Sequence, residues 1–188
     1  MSDHDSSRLL LLHKPKGYVV TRSDEKDRKT VYDLLPPWAY DEGWMPVGRL
    51  DMDSKGLLLF TQDGLIADHL TRPGSCHKVY EIWVRGHMTP AQASQLVEGV
   101  MDNGEFLKAI RVEIKGGAGP KTRLEVELDE GKNRHLRRMF GEMKDPKFGT
   151  SMKVLELKRT AIGPLHLDVE SGKWRLLTVA EENNLLDS

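Results

Sequence analysis

Leu57 to Phe60 is an unbroken apolar run, and a turn crowded with charge abuts it. Arg49, Asp51, Asp53 and Lys55 stand within seven residues of the stretch "VGRLDMDSKGLLLFTQDG". A run this short, bounded by turn residues, reads as a buried strand, Gly56–Thr61, rather than a helix. Gly56 lets the chain turn tightly into it. A catalytic loop on a rigid scaffold has this appearance. So has an ordinary tight turn, and the rest of the chain has to decide.

Strand patterns recur along the sequence. Leu9–His13 and Tyr18–Thr21 flank the turn "KPKG", and Arg22–Lys29 is a charged loop. Thr30–Leu35 makes a short helical turn stopped by Pro36 and Pro37. Asp63 caps a helix to Leu70, and Thr89 caps another that opens on Pro90 and runs to about Val97. "HKVYEIWVRG" alternates polar and apolar residues with the period of a strand. Ala109–Ile114 and Thr122–Leu128 read as paired strands around the loop "KGGAGPK". Asn133–Met143 reads as a helix, and Val154–Arg159 and Trp174–Leu177 as strands. Thr178 and Glu181 form a capping box for a C-terminal helix. Strands in runs outnumber helices, so the expected class is α+β with a mixed, mostly antiparallel sheet.

The 188 residues suffice for one large domain or two small lobes sharing a core. No apolar run approaches the roughly 20 residues of a membrane span. A single cysteine, Cys76, allows no internal disulfide, and cytoplasmic localisation is expected. Net charge is −1, but Lys108–Arg159 holds fourteen Lys and Arg against eight Asp and Glu. A nucleic-acid binder needs such a basic face, although a solvated charged surface has the same composition.

Three chemistry-bearing candidates fall short. "GGAGPKT" looks like a phosphate loop, but Pro120 separates glycine from Lys121 and a strand pattern follows where a helix is required. Cys76 beside His77 lacks a second ligand at metal spacing. Asp51 and Asp53 as paired hydrolytic carboxylates make a third, weaker reading. "DEGKNRHLRRMF" is stronger. On a helix, Arg134, Arg137 and Arg138 share one face, with Leu136, Met139 and Phe140 as the apolar stripe. Three like charges side by side call for an anion, met by RNA phosphate, by an active-site carboxylate, or by pairing with Glu130 and Glu142.

At this point the chain resembles the RsuA-type pseudouridine synthases. "GRLDMDSKGLLLFTQDG" resembles their aspartate signature, and "KVYEIWV" their tyrosine motif. "EGKNRHLRRMF" resembles their basic motif, and "LELKRTAIGPLHL" the closing one. The four stand in the expected order from Gly48 to Leu167, and "LLLHKPKGYVVT" resembles the family's first strand and turn. Three departures stand out: His135 where glutamine is usual, Ser54 where threonine is commoner, and a longer link, "KDPKFGTSMK", before the last motif. Many members carry an N-terminal S4 RNA-binding module, which is not expected here because eight residues precede Leu9. The resemblance is therefore to the short RluE-like subgroup, with residues 1–188 as one catalytic domain and 1–8 flexible.

The resemblance implies two lobes with an RNA-binding cleft between them, and isomerisation of a specific uridine without cofactor or metal. It makes Asp51 the nucleophile. Tyr80 stacks on the flipped base and assists proton transfer. Arg137 is the counter-charge of Asp51. Arg49 opens the RNA or fills the gap left by the base, and Leu157 forms part of the floor under the uracil. Lys132, Arg134 and Arg138 contact phosphates. Asp53 is expected to be a loop residue. The expected substrate is 23S rRNA, with 16S rRNA as alternative, and the protein is expected to act as a monomer away from membranes. A non-catalytic RNA-binding or ribosome-assembly factor on the same fold is the competing class.

Overall fold

The computed structural model describes residues 3–132 and 134–188. The chain forms two compact units, one of residues up to Cys76 with Arg159–Ser188, the other of His77–Lys158. The first begins with α1 (Asp3–Ser6), β1 (Leu10–Lys14), a 3-10 turn (Val31–Leu34) and α2 (Pro37–Asp41). It continues with β2 (Met45–Val47), β3 (Lys55–Thr61) and α3 (Gly64–Thr71). The second holds β4 (Lys78–Arg85), α4 (Pro90–Glu98), β5 (Val100–Asp102), β6 (Glu105–Leu107), β7 (Arg111–Ala118), β8 (Lys121–Leu128) and α5 (His135–Gly141). β9 (Lys153–Ile162) returns the chain to the first unit, which closes with β10 (Leu165–His166), β11 (Trp174–Leu176) and α6 (Val179–Leu186). The class is α+β. Among the described residues no helix is long and apolar enough to cross a membrane.

In the first unit β1 lies between β11 and β3, antiparallel to both, and β2 pairs with the far end of β3. The leucine runs are explained by burial on both faces. Leu9, Leu11, Leu57 and Leu59 enter one core with Leu70, Ile162 and Leu185. Leu10, Leu12, Leu58 and Phe60 enter another with Trp44, Val31 and Ala39. Each fully buried leucine contributes roughly 1.5–3 kcal/mol, so this sheet is the rigid part of the unit.

The second unit is built differently. β8 pairs with β4 on one side and β7 on the other, both antiparallel. Tyr80, Ile82, Val84, Leu124, Val126 and Leu128 face one core with α4 and α5. The opposite face is wet, and Arg111 there bonds Glu113, Glu125 and Glu127. One covered face and one solvated face give the clean alternation seen in the sequence.

Near the N-terminus His4 stacks on Trp38 at 4.0 Å. The Arg8 amide and Nε bond the buried carboxylate of Glu182. Several expectations need correction. Tyr18–Thr21 is not a strand; Val19 makes only an isolated parallel bridge to Thr30. The 3-10 turn ends at Leu34 before the two prolines as expected, and Pro37 also opens α2, since proline suits a first helical turn. "KGGAGPK" is mostly strand, because β7 runs to Ala118 past an irregularity between Ile114 and Gly116. A Cβ on Gly117 would lie 2.9 Å from the Lys121 carbonyl, so this glycine serves hairpin closure. The basic helix starts at His135, two residues later than expected; Asn133 lies outside the described residues.

Candidate active site

The Asp51 turn is held from below by an unexpected residue. Lys14, at the end of β1, is fully buried. Its Nζ donates to the carbonyls of Pro15 (3.1 Å), Asp51 (3.0 Å), Met52 (3.4 Å) and Ser54 (2.6 Å). Burial lowers its pKa to about 8, against the opposing pull of Asp53 and Asp51. An ammonium ringed by backbone carbonyls fixes the path of 51–54 through the main chain. The Ser54 amide closes the turn on the Asp51 carbonyl at 2.9 Å, and the Gly17 amide bonds Met52 O at 2.8 Å.

Gly56 completes the support. Its φ is +118°, and a Cβ there would lie 2.3 Å from the Arg159 carbonyl oxygen. The buried Arg159 then donates its Nε to Leu57 O at 2.8 Å. The close approach of β9 thus requires glycine at the mouth of β3. Asp51 is half-buried on this frame, whereas Asp53 and Arg49 are exposed. Arg49 lines a cavity of about 280 Å³ with Val19, Thr21, Ser23 and Arg28. Among the described residues its side chain makes no ion pair.

Tyr80, Leu157 and α5 belong to the second unit and come together there. Tyr80 and Leu157 are buried in one core with Leu136, Met139 and Phe140 of α5. Arg137, half-buried on the same helix, reaches the Val154 carbonyl of β9 at 3.3 Å. The basic segment before it is pinned by backbone and side-chain bonds. Arg134 caps α5 in the left-handed region, φ 49°, so it does not share a helical face with Arg137 and Arg138 as expected. His135 is buried; its Nε2 donates to Lys108 O at 3.0 Å and its Nδ1 accepts from the Lys132 amide at 3.4 Å. Burial lowers its pKa, which keeps that ring neutral.

Two of the cations expected to meet phosphate have protein partners. Arg138 donates Nε to Asp102 (2.6 Å) and Nη2 to Glu105 (2.9 Å) at the β5–β6 turn. Nε and Nη2 of this guanidinium are thereby engaged by the two carboxylates. Lys132 donates to Phe106 O at 2.7 Å and lies 3.5 Å from Glu130. Arg134 is the exposed cation of the group. Sequence reasoning missed Lys14 and Arg159. The signal for Lys14 was present: a lysine directly ending the apolar run "LLLLH".

A family model described as RNA pseudouridylate synthase matches residues 8–142. The chain belongs to that family. Among relatives of this synthase family it is 35% identical over 181 residues to ribosomal large subunit pseudouridine synthase B of Vibrio cholerae serotype O1, covering 95% of this chain and 54% of the relative. The Escherichia coli K12 protein of that name is also 35% identical, over 183 residues, covering 95% and 60%. The chain thus spans a little over half the length of the curated relatives it matches. A crystal structure of a pseudouridylate synthase superposes with a TM-score of 0.80 at 28% identity, over 96% of this chain and 74% of the other.

Proposed function

We propose that this chain is a pseudouridine synthase that isomerises a uridine of 23S rRNA, with Asp51 as nucleophile. In the reaction the bond between uracil N1 and ribose C1′ breaks and one from C5 to C1′ forms. The C5 hydrogen leaves as a proton and N1 gains one. The observation that carries the reading is the Asp51 turn itself. A half-buried carboxylate stands on a backbone clamped by a buried ammonium, and such fixed placement is what attack at a single carbon requires. Tyr80 stacks on the flipped uracil and assists proton transfer, Leu157 lies under the base, and Arg137 supplies counter-charge to the carboxylate. Arg49 fills the space the base vacates. Arg134 and Lys132 meet phosphate. On this reading the protein acts in the cytoplasm as a monomer, with no cofactor or metal.

The test is release of tritium from rRNA labelled at uridine C5. The protein is expected to release one equivalent from 23S transcript, and Asp51→Asn to release none while binding RNA normally. Release from 16S transcript instead would move the substrate. Binding without release from either RNA would sink the catalytic reading in favour of a binding or assembly factor.

A further inference from the structure

The link that departs from the family pattern, Lys144–Lys153, is an ordered hairpin built on the second unit's core. Met143 and Met152 root it among buried residues, and the Met152 amide bonds Met143 O at 2.9 Å. Lys144 and Ser151 form an antiparallel bridge, and Lys144 Nζ donates to Ser151 Oγ at 2.8 Å. The Asp145 carboxylate is the internal brace: it accepts from the Lys147 amide at 2.8 Å and faces His87 Nδ1 at 3.1 Å. Burial pushes its pKa up, but the Lys147 amide and the His87 ring outweigh that and hold it below the ordinary carboxylate range. Gln92 of α4 donates to Lys144 O at 2.7 Å.

Phe148 is 61% exposed, more than any other Phe, Tyr or Trp among the described residues. Its neighbours are the His87 ring at 5.9 Å and Lys147 Nζ at 5.4 Å. Lys144, Lys147 and Lys153 of the same hairpin are exposed, and the one carboxylate between 144 and 153 is the buried Asp145. Just before His87, Arg85 stands directly opposite Lys121 across the β4–β8 ladder, both exposed. Like charges in facing positions of a ladder repel unless an anion lies over them.

We propose that this hairpin is a second RNA contact, in which Phe148 stacks on an unpaired base while Lys144, Lys147, Lys153, Arg85 and Lys121 hold the flanking phosphates. An exposed ring among cations on a rigid rim is the combination that binds single-stranded RNA: aromatic faces take bases, and ammonium groups take the backbone. The ring loses little freedom on binding because the Asp145 brace already orders its loop. The inference rests on the RNA reading of the chain but not on catalysis.

The experiment measures binding of a fluorescein-labelled twelve-nucleotide single-stranded RNA, of a duplex of equal length, and of a 23S rRNA transcript, at several salt concentrations. Phe148→Ala is expected to weaken single-strand and transcript binding about tenfold and to leave the duplex within twofold. Phe148→Trp is expected to restore the affinity. The triple variant Lys144→Gln, Lys147→Gln, Lys153→Gln should lower the magnitude of the salt slope by about two. Tritium release at saturating transcript should stay within twofold for all of them. Single-strand affinity unchanged in Phe148→Ala, or unrestored in Phe148→Trp, overturns the proposal and gives the ring to a protein partner. No RNA binding by the unaltered protein overturns it as well. A protein that releases no tritium, yet loses single-strand affinity in Phe148→Ala, loses its proposed activity and keeps this contact.

Discussion

The two units hold their functional segments by different means. The Asp51 turn of the first is fastened through main-chain carbonyls to one buried ammonium, at the end of strands buried on both faces. The 132–138 segment of the second is fastened at the surface through side chains, with Arg138 on Asp102 and Glu105 and Lys132 near Glu130. Backbone clamping in a dry core fixes position and is insulated from salt. Surface ion pairs are screened and exchange partners readily. The first arrangement suits a reacting group, the second a segment that meets a polyanion.

The largest effect is expected where the comparison is starkest. Lys14→Met should remove the shared donor of three turn carbonyls and of Pro15 O, at about 2 kcal/mol or more in stability, and lower single-turnover tritium release at least a hundredfold. A variant of normal rate would show that the turn holds its shape unaided. Raising the pH past about 8 should reproduce part of the loss in the unaltered protein, because the ammonium then loses a donor. The folded-state pKa, about 8, lies below the ordinary 10.5. The unfolded chain therefore binds the proton more tightly, and this group by itself adds stability as pH rises between those values. An alkaline loss of turnover at unchanged or higher melting temperature would separate loop geometry from unfolding.

Gly56→Ala comes next. The added Cβ meets Arg159 backbone at a positive φ, so a loss of about 3 kcal/mol in denaturant unfolding is expected. A fall below about 1 kcal/mol would mean that β9 can move away.

Smaller effects are expected in the second unit. Arg138→Ala should lower the melting temperature modestly, less so at high salt, and leave the salt slope of RNA binding nearly unchanged. Arg134→Ala should reduce that slope by about one. Reversed slopes would return Arg138 to phosphate contact and erase the contrast drawn here.

The smallest concerns His135. Its folded-state pKa lies below the unfolded one, so the folded chain resists the proton. Stability is fully present above the unfolded value, near 6.5, and is lost as pH falls through the folded pKa. His135→Gln keeps a donor for Lys108 O and removes this titration. Between pH 7 and 5 its melting temperature should therefore fall less than that of the unaltered protein. Parallel curves would remove His135 as the source of acid sensitivity.

Much of this molecule was legible in the sequence for local reasons. The α3, α4 and α6 caps at Asp63, Thr89 and Thr178 are short-range hydrogen bonds between residues two or three apart, and they form as read. The alternation of β4 and β8 follows from one covered and one wet face. The motifs that resemble a synthase family led to the family to which the chain belongs. What only tertiary structure decided depends on partners distant in the chain. Arg138 is one cation of a basic run in the sequence, and the carboxylates on it come from Asp102 and Glu105, more than thirty residues away. The glycines of "KGGAGPK" read as a loop until the register of β7 and β8 places them in a hairpin. Lys14 reads as a turn lysine until β1 and β3 pair and bring it beneath Asp51, 37 residues on. Short-range hydrogen bonding and side-chain period are written in neighbouring residues. The neutralisation of a charge is set by whichever groups the fold brings to it.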